Sequence, residues 1–125
     1  MSFARRAHNV VRPNYVLRRL EEARLNTIIA RFKVKEGKEA EAEEKLAEMV
    51  AAVEANEPGA LVYILHKNQE DPSEFIFFEV YKDDEAFASH AKTDHMAKMR
   101  ESFVALADPS TMKIERLERV AGVLR

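Results

Sequence analysis

The stretch AFASHAKTDHMAKM, residues 86–99, holds two of the chain's four histidines, His90 and His95, in a segment that otherwise reads as helix. An unperturbed imidazole titrates near pH 6.5, so either ring could take or give a proton at neutral pH. Two such rings could also share a metal, line a pocket together, or simply face solvent. On an unbroken helix, five residues turn the chain by roughly 140°, which puts the rings on different sides. Helical metal pairs use i, i+4 instead. However, Thr93-Asp94 has the character of an N-cap, so the helix is expected to break between the histidines. After a break, both rings could turn toward one cavity between helix and sheet. A metal there would need a third ligand, and Glu79, Asp94 and His66 are the residues considered for it; no metal is expected. The structural alternative has His95 bonding a backbone carbonyl at the break.

The elements that must position these rings follow from hydrophobic periodicity. In TIIARFKV, residues 27–34, Ile28, Ala30, Phe32 and Val34 alternate with Thr27, Ile29, Arg31 and Lys33. This is the period of a half-buried strand. Glu36-Gly37 turns the chain. Residues 38–56 carry Ala42, Leu46, Met49, Val50 and Val53 at helical spacing, and Pro58-Gly59 stops that helix. LVYILH (61–66) is a second strand, and KNQEDPSE a polar turn. FIFFEVY (75–81) is a third strand, apolar on both faces except at Glu79. Asp83 fits an N-cap for a helix to about Ala91. A second helical piece is expected from about Asp94 to Ala107, with Asp108-Pro109 breaking it. Met112 to Val123 is expected as a fourth strand with a bulge.

The order β-α-β-β-α-β predicts a ferredoxin-like α+β fold, with helices on one face of a four-stranded antiparallel sheet. The other face would then expose either Phe75 and Phe77 or Ile76 and Phe78. An apolar patch of that size seldom stays in water. A homodimer joined sheet to sheet about a twofold axis is therefore expected.

The chain has 125 residues, enough for one domain with a real core, and 46% hydrophobic and 34% charged residues. No apolar run approaches the roughly 20 residues of a membrane span. Cysteine is absent, which excludes disulfides, zinc-thiolate sites and thiol nucleophiles. The net charge of −2 gives no reason to expect nucleic acid as a partner. Charge is uneven, however. Residues 1–20 hold Arg5, Arg6, Arg12, Arg18 and Arg19 and no acid, leaving 15 basic against 22 acidic residues, a net of −7, in 21–125. Residues 1–25 are read as a partly helical basic extension, with a short helix over Tyr15–Leu25, and residues 26–125 as the folded domain. The extension is expected to dock on an acidic surface such as the glutamates of 36–48. A cytoplasmic location is expected, with an organelle transit peptide as the alternative.

The string FFEVYKDDEAFASHAKTDHM gives the chain a resemblance to the antibiotic biosynthesis monooxygenase (ABM) superfamily of dimeric α+β barrels. Its small quinol-monooxygenase-like members are the closer likeness. The pattern is a strand ending in Glu-x-Tyr, an acid-rich turn, Ala-Phe, then His-x-x-Thr-x-His. It falls on Glu79, Tyr81, Asp83, Ala86, Phe87, His90, Thr93 and His95, and the resemblance spans about 26–123. It implies a cofactor-free oxygenase acting on a small aromatic or quinol-like substrate with dioxygen. Such an enzyme needs a base, a cation or dipole for the substrate anion, and a dry apolar wall. On this resemblance His90 and His95 are the catalytic candidates, with His90 the base. Arg31 or Arg100 could hold the anion, and Tyr63 and Tyr81 could hydrogen-bond a quinone oxygen. Phe87 and Met99, with Phe32, Phe77, Met96 and Phe103, could build the wall, or be plain core. Glu79 is either a structural partner of an arginine such as Arg31, the reading preferred, or a second acid/base. Haem-degrading relatives use a tryptophan and a later axial histidine. This chain has no tryptophan, and it has Arg100 near where that histidine would fall. Two other function classes stay open: an isomerase or other proton-transfer enzyme on a small carbonyl compound, and a non-catalytic ligand-binding dimer.

Overall fold

The computed structural model describes residues 21–125. The arginine-rich residues 1–20, and with them most of the expected helix from Tyr15, lie outside the described residues; residues 21–24 are helical. From there the chain runs β1 (Asn26–Val34), α1 (Glu39–Asn56), β2 (Ala60–Lys67), β3 (Glu74–Tyr81), α2 (Asp84–Ala91), α3 (Asp94–Leu106) and β4 (Ala107–Leu117). The four strands form one antiparallel sheet in the order β2-β3-β1-β4. This is the ferredoxin-like arrangement with its second helix split in two. No helix among the described residues is long and apolar enough to cross a membrane.

The helices cover the face that β1 presents through Ile28, Phe32 and Val34 and β3 through Phe75, Phe77, Glu79 and Tyr81, all buried. Period-two geometry then sends Ile76 and Phe78 to the opposite face, settling which half of the two-faced strand is core. Helix α1 meets the sheet through Ala42, Leu46, Met49 and Val53, a stripe at i, i+4, i+7 and i+11. Full burial of one such aliphatic side chain contributes roughly 1.5–3 kcal/mol. The turn into α1 uses Gly37 at φ +82°, a conformation that a Cβ would disfavour.

The last strand differs from expectation. It begins at Ala107, not Met112, and ends at Leu117, not Val123. Val34 and Lys33 already pair with Ala107 and Asp108, and the register then shifts between Arg31 and Lys33. Pro109 is tolerated because β4 is an edge strand, and Asp108 folds over Ser110 through 3.0 and 2.7 Å hydrogen bonds. The expected bulge is present, but on the N-terminal side of the apolar run.

Candidate active site

Two side-chain caps create the helix break that the histidines need. Asp83 accepts from the Ala86 N–H at 2.8 Å and starts α2. Thr93 accepts from the Met96 N–H at 3.3 Å and starts α3, while its hydroxyl donates to the His90 carbonyl at 2.9 Å. The same residue thus closes one helix and opens the next. His90 lies in the last turn of α2 and His95 in the first turn of α3, and their ring centroids come to 6.5 Å.

What joins the rings is Glu57, which the sequence reading did not select. It is the residue after α1, and its backbone N–H caps the helix by bonding the Val53 carbonyl. His90 Nδ1 lies 2.9 and 3.0 Å from its two carboxylate oxygens, and His95 Nε2 lies 2.5 Å from Oε2. One carboxylate therefore receives donors from the ends of two helices. His95 bonds Glu57 and not a backbone carbonyl, the partner that the structural alternative gave it. The loop holding Glu57 is fixed by close approach: the Lys82 N–H donates to the Gly59 carbonyl at 2.9 Å. A Cβ on Gly59 would sit 2.8 Å from the Ala86 Cβ of α2. The three groups could in principle hold a metal, since their ligand atoms lie within 4.8 Å of one another.

On its other side His90 lines a cavity of about 360 Å³ between the helices and the sheet. The cavity is mainly apolar, walled by Phe32, Phe77, Phe87, Met96, Met99 and Phe103 among others. Its polar groups are few: His90, Glu79, the Tyr63 phenol and, at the rim, Arg100. Arg100 donates to the Ala91 carbonyl at 3.1 Å, which pins an otherwise exposed guanidinium beside the opening. Tyr63 packs on the rings of Phe77 and His90, at 4.8 and 5.5 Å. Burial raises the Tyr63 phenol far above its usual value, helped by the charges of Glu79 and Glu57, so it remains a donor.

Two expected site residues fall elsewhere. Arg31 has the parity of Ile29, not of Ile28, and lies on the face away from the helices, 3.5 Å from Glu115. It can neither hold an anion in this cavity nor pair with Glu79. Tyr81 is fully buried behind the cavity rather than in its lining, donating to Glu79 at 2.6 Å and packing on Phe87 and His90. Burial raises its phenol, assisted by Glu79. Glu79 itself is raised by burial, against the opposing effects of the Tyr81 hydrogen bond and the neighbouring His90. Of the remaining candidates, His90, Tyr63, Glu79, Phe87, Met99 and Arg100 meet at the cavity, and His95 stands outside it beyond Glu57. The Arg116 guanidinium lies 5.4 Å over the Phe87 ring.

The described residues form a ferredoxin-like α+β domain with a helix break at Thr93 and a cavity lined by His90. Residues 26–102, more than half of the chain, match the family model of the antibiotic biosynthesis monooxygenases, and the chain belongs to that family. A Pseudomonas aeruginosa protein of known structure is similar at 31% identity and a TM-score of 0.71, over 78% of this chain and 96% of its own. A Caulobacter crescentus protein, proposed to be an antibiotic biosynthesis monooxygenase, is similar at 28% identity and a TM-score of 0.73, over 78% and 92%. A Nitrosomonas europaea protein at 22% identity and a TM-score of 0.70, covering 78% and 91%, shares the fold. No curated protein matches the chain.

Proposed function

We propose that the protein is a cofactor-independent monooxygenase of a quinol or small phenol, with His90 as the base. The observation that carries this reading is a buried histidine set between a carboxylate and an apolar cavity. With its Nδ1–H donated to Glu57, His90 keeps its lone pair on Nε2, and Nε2 bonds no described residue. Glu57 is then a positioning residue that fixes tautomer and ring orientation. Removing a phenolic proton leaves an electron-rich anion that can reduce dioxygen. The balance closes without a cofactor: a phenol and O₂ give a quinone and water, one oxygen atom entering the ring. Tyr63 is a protonated donor for the substrate oxygen, and Arg100 favours an anion at the rim. The apolar wall lowers the local dielectric, which strengthens both effects.

A homodimer belongs to the same proposal. The sheet face away from the helices carries Ile29, Ile64, Ile76 and Phe78, with Ile64 50% exposed. Covering this face with a second copy removes that surface from water.

The test is oxygen uptake with a panel of hydroquinones and phenols. Turnover by the intact chain is expected, and His90→Ala should lower it by roughly 10²–10⁴-fold, the usual contribution of a general base. No uptake with any member of the panel, or an unaffected His90→Ala variant, overturns the reading.

A further inference from the structure

We propose that Glu57, His90 and His95 form a binding site for a divalent transition metal ion, zinc by the character of its donors. The three ligand atoms, His90 Nδ1, His95 Nε2 and a Glu57 oxygen, come from three separate elements and lie within 4.8 Å of one another. Zinc bonds of ~2.0–2.1 Å in a tetrahedron place ligand atoms about 3.3 Å apart. The two Glu57–histidine pairs, at 2.9 and 2.5 Å, would open by about 0.4 and 0.8 Å as the ion replaces the shared protons. Only the histidine pair has to close, by at most about 1.5 Å from its 4.8 Å limit. Two imidazoles and one carboxylate are a donor set that zinc accepts, with a fourth position left for water.

The support and the access are also present. Thr93 ties the end of α2 to the start of α3, so the two histidines are fixed relative to each other. Gly59 fixes the loop of Glu57 against α2. A surface cleft lined by Pro58, Ser89 and Thr93 includes Glu57 in its wall. A second groove between α1 and α3 reaches His95. An ion can therefore arrive without passing through the apolar cavity. A surface histidine pair offers neither this burial nor a shared carboxylate: the side chains here are only 4%, 9% and 15% exposed for His90, Glu57 and His95.

The metal and the proposed base are exclusive uses of His90. With an ion on Nδ1, the ring proton moves to Nε2, and the cavity then faces a donor instead of a base. This consequence rests on the oxygenase reading, but metal binding does not.

The experiment is calorimetric titration of the EDTA-treated full chain with zinc chloride at neutral pH, without substrate. One zinc per chain is expected. Glu57→Gln and His95→Gln should each weaken binding by more than the roughly 10–100-fold that loss of an outer-shell partner costs. His66→Gln, at an exposed histidine on the opposite sheet face, should bind as the parent does. Cobalt(II) added to the unaltered chain should show the intense visible bands of a four-coordinate ion, a readout independent of how the variants fold. Where the protein turns over, uptake should fall in step with zinc occupancy. No zinc binding, equal loss in His66→Gln, six-coordinate cobalt spectra, or undiminished turnover at full occupancy each overturns the assignment. Failure of oxygen uptake alone leaves the site standing, and failure of zinc binding leaves the oxygenase reading standing.

Discussion

Replacing Gly59 by alanine should destabilise the protein through a single contact. A Cβ built at Gly59 lies 2.8 Å from the Ala86 Cβ and 3.4 Å from the Lys82 Cε. The lysine can swing away, but Ala86 is held by the backbone of α2, at a position whose N–H is bonded to the Asp83 cap. Ordinary contact between two such carbons needs ~3.5–4.0 Å. The loop and the helix must therefore separate by about 0.7–1.2 Å, overpacking that typically costs 1–3 kcal/mol. The Lys82–Gly59 hydrogen bond lies in the same loop and would stretch with it. Ala86→Gly should cost roughly 1 kcal/mol by itself, the helix penalty of glycine. In the double variant the clash is gone, so its loss should be close to that of Ala86→Gly alone. The cycle, measured by urea denaturation at fixed pH, is expected to give a favourable coupling of about 1–3 kcal/mol. Additive losses would refute the argument, as would a neutral Gly59→Ala.

Glu79→Gln tests the buried carboxyl. Its folded pKa is raised above the reference value of 4.5, with burial the main cause. A carboxyl raised in this way favours folding in its protonated form, fully so below the unfolded value. That contribution is lost as pH rises through the folded value. Glutamine keeps an acceptor for the Tyr81 hydroxyl without a charge, so its melting point should exceed the parent's at pH 8 and converge on it near pH 4; a gap that widens on acidification would contradict this. Ile64→Lys, on the open sheet face beside Phe78, should leave the chain folded but sediment as a monomer at micromolar concentration. A parent chain that is itself monomeric would sink the dimer.

Much of the fold was legible because local periods and tertiary burial agree. Strand β1 and helix α1 carry clean period-two and 3.6-residue patterns, and each appears within a residue or two of expectation. Strand β3 was legible as a strand but not in its facing, since FIFFEVY is apolar in both parities; only pairing with β1 puts Phe77 inside and Phe78 outside. The start of β4 was not legible, because Asp108-Pro109 is a breaker signal that an edge strand can override. The site divided in the same way. Thr93 is a local signal, and the break between His90 and His95 followed from it. The partner of both rings did not, because Glu57 lies 33 residues before His90 and only packing brings it there.

Glu57 did leave one trace in the sequence, an acid at the wrong end of a helix. Carboxylates favour helix N-termini, and at a C-terminus they meet the negative pole of the dipole, at a cost of typically 0.3–1 kcal/mol. Here the carboxylate is also almost fully removed from water. Those costs are offset only if the oxygens find donors, and the two histidine N–H groups are the donors present. Yet an ion-paired cluster of this kind is weak as a stabilising device, since apolar side chains of equal volume often do as well or better. Three ionisable groups gathered at two helix ends and a pinned loop are thus poorly accounted for by stability alone. They fit the roles proposed above, a ring that keeps one nitrogen free beside a cavity and a carboxylate that holds it there.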